Sequence, residues 1–259
     1  MQFPKVTHQM DSLMQTRDSS GPTLIGMLTP SSNTVVEPFT AALAWPLFPQ
    51  VSVHFGRLRV TRIALDEGSD QQFAIEPFLA AADLLADARV DVLAWNGTSA
   101  SWLGFDSDAR LCAALTERTG ARATSAVQSL NRLLGTFGVR RLGLVTPYTP
   151  DVQARIIANY ADIGIETVAE RHSNRSDNFS FAEVDEAEIA RMCREVAEAR
   201  PDAIVILCTN MRGPFVAAAL ERELGLPVLD SVAFTLWGCL KEAEVDMAPL
   251  ADFGMMFAK

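Results

Sequence analysis

The chain has 259 residues, with 32 acidic and 22 basic side chains and a formal charge of −10. That balance argues against a nucleic-acid surface, which needs clustered Lys and Arg, and no run reaches the roughly 18 apolar residues of a membrane helix. Apolar residues make up 49% and are spread along the chain, so the expectation is a soluble globular protein long enough for one large or two smaller domains.

Residues 1–21, ending in Asp18-Ser19-Ser20-Gly21, read as a flexible arm. A strand over Thr23–Leu28 is then broken by Thr29-Pro30-Ser31-Ser32-Asn33-Thr34. This loop of hydroxyls and one amide suits either the cap of a helix from Glu37 to Leu43 or the binding of a carboxylate. Val51–Leu58 alternates as a strand, and Arg57, Arg59 and Arg62 in and after it read more simply as a solvated edge than as an anion site. An amphipathic helix over Ile75–Ala88 leads into the strand Val90–Trp95. The end of that strand, Asn96-Gly97-Thr98-Ser99, offers glycine for close backbone approach and hydroxyls for hydrogen bonds. Helices follow over Asp108–Thr119, with Cys112 on its apolar register, and over Thr124–Phe137, closed by Gly138.

The same alternation resumes with a strand over Arg141–Val145, the loop Thr146–Asp151, a helix Val152–Asp162 stopped by Gly164, and a short strand Ile165–Val168. A long polar loop, Arg171–Phe181, is either mobile or functional, and a charged helix over Glu183–Ala199 carries Cys193 in a structural role. Ala203–Leu207 is an uninterrupted apolar run, β-branched in its middle, as expected of a strand buried on both faces of a parallel sheet. Cys208-Thr209-Asn210 then falls at the carboxyl edge, where open α/β sheets place their ligands. A helix Phe215–Leu224, a strand Leu226–Asp230 and a helix Val232–Ala243 with Cys239 complete the set, and strands alternating with helices throughout give an α/β fold with parallel sheets.

The pattern occurs twice. Asp91–Ser99 aligns without gaps on Asp202–Asn210, which pairs Gly97 with Cys208 and Thr98 with Thr209, and Gly26–Pro30 aligns likewise on Gly143–Pro147. Two Rossmann-like halves related by pseudo-twofold symmetry are expected, over 22–138 and 139–230, with an active site in the cleft between them. A C-terminal helix and tail over 231–259 could pack on the first half.

The four cysteines show no Cys-x-x-Cys spacing, and His8, His54 and His172 lie at no ligand spacing from a Cys or an acidic pair. No metal is expected, and without a glycine-rich phosphate motif no nucleotide cofactor is expected either. Reduced thiols point to a cytoplasmic protein. Acidic surface and exposed helices are compatible with a homo-oligomer, with no residue-level argument for one. Cys208, at a strand end and before a helix, is expected to gain thiolate character from the helix dipole and free backbone N–H groups. Papain-like catalysis would need a His base, and neither His54 nor His172 is tied to Cys208 by spacing. A thiol amid hydroxyls and amides suits proton transfer at a carbon next to a carboxylate.

These residues resemble the Asp/Glu racemase superfamily, whose members use no cofactor and place one strand-end residue from each half on opposite sides of the substrate. Pro30-Ser31-Ser32-Asn33-Thr34, Val145-Thr146-Pro147-Tyr148-Thr149 and Asp177-Asn178 are similar to maleate cis-trans isomerases. That likeness implies Asn33, Tyr148 and Asn178 as carboxylate-binding residues and Cys208 as the second-half catalytic cysteine. The isomerases carry a first-half cysteine as well, where this chain has Asn96-Gly97-Thr98-Ser99. Gly-Thr-Ser there instead resembles arylmalonate decarboxylases, although the first loop departs from their pattern. The combined expectation is a small carboxylate or dicarboxylate substrate, Cys208 and Thr98 catalytic, and Gly97, Ser99 and Thr209 holding a carboxylate or enediolate. Decarboxylation is preferred because it needs one acid. Isomerisation or racemisation is the alternative, and a non-catalytic carboxylate-binding protein a second one.

Overall fold

The computed structural model describes residues 21–66, 68 and 71–259, so the flexible arm expected over 1–21 lies almost wholly outside the described residues. The first half builds a parallel sheet from β1 (Thr23–Pro30), β2 (Val51–Leu58), β3 (Val92–Trp95) and β4 (Arg122–Ser125), in the order β2-β1-β3-β4. The second half repeats it with β5 (Arg141–Thr146), β6 (Glu166–His172), β7 (Ala203–Ile206) and β8 (Val228–Asp230), in the order β6-β5-β7-β8. Thus β1 corresponds to β5 and β3 to β7, the pairs that the internal repeat aligns. Every residue of β3 and β7 is buried, because parallel sheets carry helices on both faces.

The helices are α1 (Val36–Ala44), α2 (Ile75–Asp87), α3 (Ala100–Leu103), α4 (Phe105–Thr119) and α5 (Ala126–Phe137) in the first half, and α6 (Pro150–Asp162), α7 (Glu186–Ala197), α8 (Pro214–Leu224) and α9 (Ser231–Glu242) after it. None among the described residues is long and apolar enough to cross a membrane. The sequence reading placed Thr124 and Ser125 in a helix, and the structure corrects this. Arg122–Ser125 pairs with β3, and the strand ends on the residue that caps the next helix, since Ser125 Oγ accepts the Gln128 N–H at 3.0 Å. A strand this short that finishes in a cap leaves no apolar alternation to read. The second half does the same at β8, where Asp230 accepts the N–H groups of Val232 and Ala233 at 2.8 and 3.2 Å.

Helix α9 is buried on all sides from Ser231 to Leu240. It leaves the second-half sheet but packs against β4, β3, α5 and α1 of the first half. Contact with α5 requires glycine, because a Cβ on Gly238 would collide with Ser129 Oγ. The halves are also clasped at the carboxyl edge of the sheets. Arg62 and Asp177 form an antiparallel bridge, flanked by Ile63 N–H to Ser176 O and Asn178 N–H to Thr61 O, both at 2.9 Å. The polar loop after β6 is spent on that clasp, and the turn Phe179–Glu183 closes it.

Two carboxyls are sealed at the starts of helices. Ser125 Oγ donates to Asp108 Oδ2 in a short hydrogen bond, while burial pushes Asp108 up to about 7, and burial does the same to Asp230. In the unfolded chain an Asp titrates near 3.8, so between about pH 4 and 7 the folded state holds protons that the unfolded state has lost, and stability falls as pH rises across that window. The urea midpoint of Asp108→Asn should therefore fall less between pH 4.5 and 7.5 than that of the parent. An equal fall in both would show that Asp108 is ionised in the fold.

Candidate active site

The chain leaves β3 and β7 at one cavity between the halves. Gly97, Thr98 and Ser99 line it from the first half and Tyr148, Asn178, Cys208 and Thr209 from the second. Pro30, Val60, Ile63, Phe73, Trp95 and Trp102 supply the apolar wall. Among the described residues no carboxylate, Lys, Arg or His stands on this wall, so from these residues an anionic ligand would be held by hydroxyls, amides and backbone N–H groups.

Cys208 is 3% exposed, and its sulfur accepts the Asn210 N–H at 3.4 Å and lies within hydrogen-bonding reach of the Tyr148 hydroxyl. Both contacts favour thiolate, yet burial outweighs them and pushes the thiol up to about 12, with the carboxyl of Asp230 adding to the rise. The expected thiolate character is thus corrected. α8 begins only at Pro214, so residues 209–213 stand between the sulfur and the helix start. At neutral pH burial thus favours the thiol over the thiolate.

Tyr148 Oη and Thr98 Oγ1 share a hydrogen bond of 2.6 Å across the halves. Burial raises Tyr148 well above the usual phenol range, so it keeps its proton. Trp102 and Phe181 fix the ring edge-on, at 5.3 and 5.4 Å between centroids. Because one hydroxyl of the pair accepts from the other, a single O–H is left for the Cys208 sulfur or for a ligand. Ser99 Oγ accepts the Trp95 indole N–H at 3.1 Å.

Behind the wall a network ties the strand-end loops together. Asn33 Oδ1 accepts the N–H groups of Val35 and Val36 at 2.8 Å, and its Nδ2 donates to Thr209 Oγ1 at 3.3 Å. Asn33 thus lies one hydrogen bond behind Thr209, while Asn178 lines the cavity itself. Thr209 Oγ1 donates to Asn96 O at 3.2 Å. Asn210 accepts the Thr34 N–H at 2.9 Å and donates to Asn178 O at 2.6 Å, and Asn178 donates to Ser32 Oγ at 2.7 Å. Arg57 is absorbed in bracing the first loop, donating to the carbonyls of Ser31 and Asn33 and to Glu37. Sequence reasoning placed Asn210 at the ligand-bearing edge but gave it no role, although its place two residues after the thiol was a signal. It missed Val60, Ile63, Phe73 and Trp102, which lie in stretches without a clear period, and Trp95, whose signal was its place at a strand's carboxyl end.

The family model described as arylmalonate decarboxylase matches residues 25–256. The chain belongs to the arylmalonate decarboxylase family. It is similar to the arylmalonate decarboxylase of Bordetella bronchiseptica, 29% identical over 244 residues that cover 93% of this chain and 98% of the relative. It is also similar to the maleate isomerase of Geobacillus stearothermophilus, 28% identical and covering 84% and 90% of the two chains. In fold it matches the Nocardia farcinica maleate cis-trans isomerase with a TM-score of 0.82 at 22% identity, covering 92% of this chain and 98% of that one. As a member of this family the chain is an enzyme of the lyase or isomerase kind within the Asp/Glu racemase-like superfamily, with two α/β halves.

All four cysteines are buried and free. Burial pushes Cys193 up to about 12, like Cys208, and raises Cys112 and Cys239 further. At pH 7.5 the native protein should therefore react with Ellman's reagent at least about 100-fold more slowly than the urea-unfolded chain. One thiol per chain reacting at the unfolded rate would contradict the seclusion of Cys208.

Proposed function

We propose that this enzyme is a cofactor-independent decarboxylase of a malonate with an apolar substituent, in which Cys208 protonates the carbon that loses carbon dioxide. The observation that carries the reading is the buried thiol, whose burial disfavours the thiolate, facing a wall whose described residues include no other acid or base except a phenol. Decarboxylation needs one acid of this kind. Racemisation needs a base on each face, and addition of sulfur to a double bond needs a thiolate.

The bond between the α-carbon and one carboxylate breaks, carbon dioxide leaves, and the electron pair remains as an enediolate spread over the second carboxylate. Thr98, Ser99 and Tyr148 hydroxyls with the backbone N–H groups of the strand-end loops would stabilise that charge. Fixed dipoles in a site without water are worth more than in solution. The apolar wall of Val60, Ile63 and Phe73 favours the neutral product over a charged carboxylate set against it. The Cys208 proton passes to the α-carbon, and the thiolate regains one from water. Asn178 and Thr209 complete the grip on the retained carboxylate, with Asn33 steadying Thr209.

Proton NMR in D₂O with aryl- and alkyl-substituted malonates, and with maleate, tests this. The expected product has lost one carboxylate and gained one deuterium at the vacated position, and Cys208→Ser should lower kcat at least about 100-fold with KM within a few-fold. Cis-trans conversion or α-exchange with every carbon retained would instead establish an isomerase or racemase. Tyr148→Phe should cost about 10- to 100-fold in kcat, as the loss of one oxyanion donor does. No loss would remove Tyr148 from the site.

A further inference from the structure

Within the internal repeat, position 97 is the counterpart of position 208 and Trp95 that of Ile206. Both 97 and 208 line the cavity, one from each half, so a side chain at 97 would face the substrate from the side opposite the thiol. Position 97 holds glycine, and not for its backbone conformation, since the glycines with positive φ among the described residues are others. Close approach is the reason. A Cβ built on Gly97 would lie 2.8 Å from Cη2 of Trp95 and closer still to Cζ2 and Cε2.

The indole cannot swing away cheaply. It is 1% exposed, its Nε1–H is bonded to Ser99 Oγ at 3.1 Å, and Phe78 packs edge-on against it with 4.8 Å between centroids. A planar, buried ring anchored at both ends has no alternative rotamer to retreat to without breaking that hydrogen bond and opening a void.

We propose that Trp95 is the specificity-determining residue that confines this cavity to one thiol: its indole fills the space that a side chain at position 97 would need. The proposal rests on reading the site as an α-carbon protonation centre. With the face opposite Cys208 occupied by an inert ring, a proton reaches the enediolate from one side only. The product is then of one hand and is not re-exchanged through the other face.

Two measurements test this. The first is a stability cycle that needs no substrate. Gly97→Ala should lower the urea midpoint by about 1 M in the parent and by a small fraction of that in Trp95→Leu. Equal losses in both backgrounds would overturn the proposal. The second follows α-deuterium exchange and racemisation of a resolved 2-arylpropionate in D₂O. Both should appear in Trp95→Leu/Gly97→Cys, stay absent from each single variant, and vanish again with Cys208→Ser. Racemisation by Gly97→Cys alone, or none by the double variant while the parent decarboxylates malonates, would overturn the proposal. A parent inactive on malonates would fail the decarboxylase reading instead, and the stability cycle would still decide whether Trp95 is what holds position 97 to glycine.

Discussion

Parallel strands that end inside a protein leave backbone groups that must find partners, and here the second half supplies several of them to the first. Asn210, from the end of β7, accepts from Thr34 of the first half and donates to the Asn178 carbonyl, while its own N–H points at the Cys208 sulfur. Thr209 donates to the Asn96 carbonyl at the end of β3. An unpaired buried polar group costs roughly 1–3 kcal/mol, so these bonds hold the loops to a single arrangement. The cavity is what remains between loops fixed in this way. Its thiol, phenol and Thr98 hydroxyl meet because the backbone behind them has no freedom to let them part.

The same enclosure sets the chemistry. A strand-end cysteine near a helix start is ordinarily read as activated toward thiolate, and the local donors do push in that direction. Removal of water overrides them. A secluded thiol that keeps its proton beside a phenol that keeps its own makes the wall rich in donors and poor in bases. Such a wall can stabilise negative charge that develops on a bound acid and then quench it.

Much of this was legible in the residues. Each half declared itself through an apolar run ending in small polar side chains, and aligning Gly97 with Cys208 located the two facing edges. The fold followed from strands alternating with amphipathic helices. What escaped had physical reasons. β4 is four residues that double as a helix cap, so no period could show. α3 is a single turn after Ser99. The apolar wall comes from residues 60, 63 and 73, brought in by a connection whose course depends on the bridge between Arg62 and Asp177. The part Asn33 plays in its own helix start, through its amide oxygen, also needed the structure to be seen. The net rise of the thiol's pKa was not legible because burial is a property of the whole fold, and the local spacing carries only the opposing contribution.

Helix α9 follows the second half in sequence and packs on the first. The repeat therefore does not divide into two self-sufficient pieces. A fragment ending near Phe137 would expose the faces of α5, β4 and α1 that α9 covers, and a ribosome making this chain must reach residue 242 before the first half can close its core. The N-terminal sheet waits, open on one side, for the last helix of the chain.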